Sequence, residues 1–112
     1  MRIVLVAALI CALLEPASAA TSHACASNAV ARAGKLLVFH ADPDGPWSVD
    51  KTAVKIGTVA ALHGRRRYDV LQVWGYVYKA RYRMRFIYGV VAGQCVLVGE
   101  EIFEDTALSE RH

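Results

Sequence analysis

Aromatic and basic side chains occupy alternate positions in two neighbouring segments of the chain: Trp74, Tyr76 and Tyr78, followed by Arg81, Arg83 and Arg85. Residues two apart point to the same side of a β-strand. A guanidinium beside an aromatic ring gains roughly 0.5–1 kcal/mol per exposed contact, and both residue types dominate the energetics of binding interfaces. The pattern therefore predicts a recognition surface made of rings and arginines.

These side chains share one surface only if the two segments pair as a β-hairpin. Apolar residues alternate with them, and their numbering changes from odd to even across Lys79-Ala80, as a tight turn requires. We predict that Tyr78 pairs with Arg81, either through a two-residue turn or, since Lys-Ala is not a favoured turn, through a four-residue loop in the same register. The pairs expected further along are Val77 with Tyr82, Tyr76 with Arg83, Gly75 with Met84, Trp74 with Arg85, Val73 with Phe86, and Leu71 with Tyr88.

The remaining segments predict the elements around this hairpin. Residues 95–103 predict a further strand, and residues 54–62 alternate so as to predict an earlier one, with Ile56 and Thr58 on the same side. Residues 29–40 fit a helix with Val30, Ala33, Leu37 and His40 near one face, although residues 36–39 also fit a short buried strand. We favour the helix. The predicted fold is α+β, an N-terminal helix packed on a three- to four-stranded antiparallel meander with one disulfide.

The first 20 residues predict a cleavable signal peptide. A positively charged start is followed by an apolar run over residues 3–14 and by the small residues of Ala17-Ser18-Ala19-Ala20. The run is shorter than the roughly 20 residues that span a bilayer. We expect a single small exported domain, residues 21–112, that is periplasmic or secreted.

Export makes a disulfide the expected state of the two remaining cysteines. Cys11 lies inside the predicted signal, which leaves Cys25 and Cys95. An even pair of cysteines in an exported chain most simply forms one bridge. This bridge would join the N-terminal segment to the last strand.

Charge is segregated along the sequence. From Arg65 to Arg85 there are seven basic residues and one acidic residue, whereas Glu100 to Glu110 contains five acidic residues and no basic ones. The basic face is therefore either a binding surface or a solvated sheet face whose arginines are covered by rings and neutralised by the acidic segment. The candidate partners are another envelope protein, an anionic glycan or a lipid surface; export argues against nucleic acid.

No signature of catalysis or of a cofactor is present. The sequence has no Gly-rich phosphate loop, no G-x-S-x-G motif and no paired histidines at metal spacing. A mature chain that began at Thr21 would place His23 third, a spacing that suits Cu(II) or Ni(II), but we interpret it as coincidence. We expect no catalytic residue, no metal and no cofactor. The predicted function is a non-enzymatic binding, accessory or inhibitor-type domain; the alternatives are a structural homodimerising domain or, less favoured, a metal-handling protein or an enzyme.

Overall fold

The computed structural model describes residues 22–105, so the predicted signal peptide, residues 1–20, lies outside the described residues. In this described part of the chain, one helix precedes five strands, and every strand pairing is antiparallel. The elements are α1 (Ala26–Ala41), β1 (Ser48–Val49), β2 (Val54–Ala60), β3 (Arg67–Val77), β4 (Ala80–Val91) and β5 (Gln94–Asp105). Within residues 22–105, no helix is both long and apolar enough to cross a membrane.

The sheet confirms the predicted α+β class. Strands β3, β4 and β5 form a meander, and both β1 and β2 pair with β3 on its other edge. The sheet has five strands because the chain between α1 and β3 pairs twice along β3. A bulge in β2 leaves Ile56 without a pairing position between Lys55 and Gly57. The prediction that Ile56 and Thr58 continue a regular alternation in this strand was therefore wrong.

Helix α1 packs on one side of the sheet, and the alternative of a strand at residues 36–39 was wrong. Its buried positions are Ala29, Ala33 and Leu37, which are spaced for a single helical face. The helix lies close to β3 at Gly75, where an added Cβ would lie 3.0 Å from the Leu37 Cδ2 of α1 and 2.8 Å from the Met84 Cε of β4. Asp42 caps the helix directly after Ala41: it adopts a left-handed φ of 45° and donates its N–H to the Val38 carbonyl.

The core lies between α1 and the inner face of the sheet, which we define as the side that contacts the helix. Val73 and Phe86 are both fully buried there, as predicted. The other sheet residues of this core are Leu71, Tyr82, Met84 and Tyr88. Tyr88 donates a hydrogen bond from its hydroxyl to the Asn28 side chain of α1, so the buried phenol keeps a polar partner.

Two links hold the helix to the last strand. The predicted Cys25–Cys95 disulfide is present, and it joins residues 70 positions apart at the start of α1 and of β5. Closing a loop of this length stabilises the fold by about 4 kcal/mol in the chain-entropy account. The second link lies a few turns further along, where Arg32 of α1 donates bidentate hydrogen bonds to the Glu100 carboxylate.

The hairpin exists, but its predicted register was wrong by two residues. Val77 pairs with Ala80, so the turn residues are Tyr78 and Lys79, and Lys79 adopts a left-handed φ of 65°. Each predicted pair moves accordingly: Tyr76 lies opposite Arg81, Trp74 opposite Arg83, Gln72 opposite Arg85, Gly75 opposite Tyr82, Val73 opposite Met84, and Leu71 opposite Phe86. Side chains repeat every two residues along a strand, so this shift changes partners without exchanging the faces.

Candidate functional site

The predicted ring-and-arginine residues lie on the side of the sheet opposite α1, which we call the outer face. Its strand residues are Trp74 and Tyr76 of β3, Arg81, Arg83 and Arg85 of β4, and Phe103 of β5. Tyr78 is the exception among the predicted residues. It occupies the hairpin turn with 79% of its surface exposed, and Lys79 lies over its ring at 5.4 Å.

Trp74 carries the closest stacking on the outer face. The Arg81 guanidinium lies 4.6 Å from its ring centroid, and the Arg83 guanidinium lies 6.0 Å away. Arg83 is the cross-strand neighbour of Trp74, and Arg81 reaches it from the diagonal position. The tryptophan is thereby held by two cations from the next strand, while part of it stays exposed.

Phe103 extends this surface across β5, although its sequence position gave no sign of it. Its ring lies 5.6 Å from the Arg83 guanidinium and 6.0 Å from that of Arg85. A bulge leaves Val98 unpaired between Leu97 and Gly99 and reverses the alternation of the strand. Cys95 therefore faces the core while Phe103 faces outward. An unbroken alternation would place Cys95 and Phe103 on the same face. Phe103 could therefore be assigned to the outer face only if the position of the bulge were known.

Acidic and amide groups pair with several of the outer-face side chains. Arg81 donates a hydrogen bond from Nε to the Asp105 carboxylate at 2.7 Å, and Arg85 donates one to the Gln72 side chain at 3.2 Å. The Tyr76 hydroxyl donates to the Asp50 carboxylate at 2.9 Å. Desolvation, followed by this hydrogen bond to Asp50, raises the pKa of Tyr76 above its ordinary value. The outer face therefore carries charges of both signs.

Arg83 differs from the two arginines beside it. Within residues 22–105 its buried Nε has no hydrogen-bond partner, and its guanidinium makes no ion pair with a described residue. The rings of Trp74 and Phe103 flank it instead. A cation held between aromatic rings without an internal counterion remains available to an external acceptor.

Apolar side chains surround the far end of the outer face, where β2 borders it. An open depression of about 310 Å³ lies on the outer face, and residues of β2, β3, β4 and β5 line it, among them Ile56, Val59, Val70, Arg85, Ile87 and Glu101. Val54, on the same strand, exposes 58% of its surface. The outer face is thus ring-rich near the hairpin turn and aliphatic near β2.

His23 belongs to a separate polar cluster on the edge of the structure. Its Nδ1 accepts the Cys25 backbone N–H at 2.9 Å, so its Nε2 carries the proton that it donates to Asp69 at 2.8 Å. The His23 hydrogen bond, opposed by desolvation and supported by Lys55, lowers the pKa of Asp69. Both ring nitrogens of His23 are occupied, and no group of three or more metal-ligating side chains occurs within residues 22–105.

In comparisons with known proteins, no family model, no curated protein and no solved structure matches the chain.

Proposed function

We propose that the chain is an exported, disulfide-bonded domain that binds another protein through its outer face and catalyses no reaction. The observation that carries this proposal is the stacked group of Trp74, Arg83 and Phe103 on the side of the sheet that α1 leaves uncovered. Rings and arginines are the residues that most often supply binding energy in protein interfaces. The proposed location is the periplasm or the exterior of the cell.

The stacking also lowers the entropy that binding would cost. Each immobilised side chain costs roughly 0.5–1.5 kcal/mol when a partner orders it. The guanidinium groups of Arg81 and Arg83 already lie over the Trp74 ring, and the Tyr76 hydroxyl is hydrogen-bonded to Asp50. These side chains are ordered before a partner arrives, while Tyr76 still exposes 37% of its surface and Phe103 43%.

The mixture of charges favours a protein over an anionic polymer. A polyanion would have to compete with Asp105 for Arg81, and it would meet Glu101 beside Arg85. A protein surface presents both signs and can match each group in turn. The mixed charges therefore support a protein, rather than a glycan or a lipid surface, as the proposed partner.

The proposed location is supported by two features of different kinds. The sequence of residues 1–20 has the three zones of a signal peptide, and a disulfide such as Cys25–Cys95 persists in oxidising compartments. N-terminal sequencing of the chain recovered from the extracytoplasmic fraction tests this location. We expect a mature terminus at Ala20 or Thr21, and a full-length chain retained in the cytoplasm would contradict export.

Site-specific photocrosslinking in intact producing cells tests the binding face. A photoreactive phenylalanine analogue replaces Tyr76 on the outer face or, as the control, Phe39 on α1, which is 85% exposed on the opposite side of the molecule. We expect a discrete adduct from position 76 that Arg83→Gln weakens, and none from position 39. No adduct at position 76, or equal adducts at both positions, would refute the proposal.

A second measurement separates protein from polyanion binding. The purified domain and its Arg81/Arg83/Arg85→Ala variant are applied to heparin and to vesicles of phosphatidylglycerol at physiological ionic strength. We expect little retention of either protein. Strong retention that the triple variant abolishes would replace the protein partner with an anionic glycan or lipid.

A further inference from the structure

We infer that the partner bound by the outer face is a second copy of this chain, related by a twofold axis. The inference rests on the proposed function, because it names the partner of the same surface. Three properties of the outer face carry it: complementary unmatched charges, exposed apolar groups and sufficient area.

The charges of the outer face complement one another under a twofold axis. Arg83 has no ion-pair partner among the described residues, and neither has Glu101 of β5. Glu101 pairs with Arg85 in the strand register, one diagonal step from Arg83, so an unmatched cation and an unmatched anion lie on the same surface. In a twofold dimer both copies use the same surface, so a contact from residue i of one copy to residue j of the other occurs twice. Two Arg83–Glu101 pairs form when two such surfaces face each other.

Exposed apolar side chains lie on the same outer face as these charges and provide contact area for the second copy. Val54, Ile56, Val59 and Phe103 are all exposed. Two sheets pack face to face at about 10 Å when their side chains interdigitate. A second sheet would therefore remove from water the aliphatic residues near β2 and the rings near the turn together.

The area of the outer face suits a stable interface. Strand β3 has 11 residues, which at about 3.3 Å per residue is roughly 36 Å long, and four strands about 4.8 Å apart are roughly 19 Å wide. Their product is about 700 Å², before side-chain relief is added, and a standard stable interface buries about 800 Å² per partner.

Charge reversal tests the inference. Sedimentation equilibrium is run on the wild-type mature chain, on Arg83→Glu, on Glu101→Lys and on an equimolar mixture of the two variants. We expect a wild-type dimer, an increase of at least about tenfold in the dissociation constant of each single variant, and recovery in the mixture, where every contact again joins opposite charges. A monomeric wild type, or a dimer insensitive to both variants, would overturn the inference.

A second readout avoids charged substitutions at the interface. In a Trp47→Phe background, Trp74 is the only tryptophan of the mature chain, and its emission reports on the outer face. Its emission is expected to shift to shorter wavelength as concentration rises through the dimer range. Trp47 lies against α1 at Gly34, so in a Trp74→Phe background its emission serves as the control and should stay constant. A concentration-independent Trp74 spectrum contradicts the dimer even if a charge variant fails to fold.

The mass of the photocrosslinked product separates this inference from the proposed function. An adduct of twice the monomer mass from position 76 supports both. An adduct of any other mass leaves the binding face in place and overturns the second copy. The absence of any adduct from position 76 removes both.

Discussion

The inner and outer faces of the sheet are formed by the same strands, but different groups cover their aromatic and apolar side chains. On the inner face, Phe86 and Met84 are sealed under α1, and the helix is tied to β5 by the Cys25–Cys95 disulfide. On the outer face, Trp74 and Phe103 are held by arginines from β4 and stay partly open to solvent. The difference indicates that the packing that stabilises the fold is concentrated on the inner face, which leaves the outer face for the recognition that we propose.

Alanine substitutions at two phenylalanines, one on each face, measure how much each face contributes to the free energy of unfolding. We expect Phe86→Ala to lower the free energy of unfolding by about 3–5 kcal/mol, because it opens a cavity in a fully buried site. Phe103→Ala removes an exposed ring and two contacts with arginines, so its expected loss is about 1 kcal/mol. Urea unfolding followed by circular dichroism gives both values. Equal losses would mean that the outer face is as tightly packed as the core.

Removing the disulfide removes the covalent link between α1 and β5. The double variant Cys25→Ser/Cys95→Ser is expected to lose about 4 kcal/mol, because the denatured chain regains the freedom of a 70-residue loop. Cys25→Ser alone opens the same loop and serves as the matched control, with the same expected loss. Thermal or urea unfolding under non-reducing conditions measures it. A loss below about 1 kcal/mol would show that Arg32–Glu100 and the core suffice to hold the helix.

Two glycines give a smaller and sharper contrast between the faces. Gly75→Ala places a methyl group within 3.0 Å of the Leu37 and Met84 side chains, so we expect a loss of about 1–3 kcal/mol from overpacking. Gly99→Ala on β5 meets only Ile87 at an ordinary 3.4 Å, so it should be neutral or stabilising by up to about 1 kcal/mol. If the two variants were equally stable in urea, the close approach of α1 at Gly75 would be refuted.

The smallest expected effect concerns Asp69 at the edge of the inner face. Its folded pKa lies below the unfolded value of 3.8, chiefly because His23 donates a hydrogen bond to the carboxylate. Its contribution to stability is therefore fully present above that unfolded pKa and is lost as pH falls through the folded pKa. We expect Asp69→Asn to flatten the decline of stability below pH 4 in acid titrations of unfolding. An unchanged acid limb would show that the His23–Asp69 pair does not stabilise the fold.

The assignment of residues to faces could be predicted because it depends only on alternation along β3 and β4. The cross-strand partner of each residue could not be predicted, because it depends on which residues form the hairpin turn. Lys79 adopts a left-handed φ although it is not glycine, and the sequence gives no signal for this. The resulting two-residue shift preserved the face of Trp74 and Arg83 and removed Tyr78 from it.

Bulges limited the prediction in the other two strands. The disulfide could be predicted from the number of cysteines and the predicted compartment, and the helix from the spacing of its apolar residues. Phe103 was missed because the unpaired Val98 reverses the alternation of β5, and the regular pattern expected in β2 fails at Ile56. A bulge is an irregularity of the backbone, and the pattern of apolar and polar residues in one sequence does not specify where it occurs.

The cross-link between Cys25 and Cys95 also fixes an order of events during synthesis. Cys25 leaves the ribosome early, whereas Cys95 lies in the last strand, so the bond can close only after nearly all of the domain has been made. Oxidation can therefore join the two cysteines only in a chain that extends into β5, and a product cut short before β5 carries an unpaired thiol at its helix.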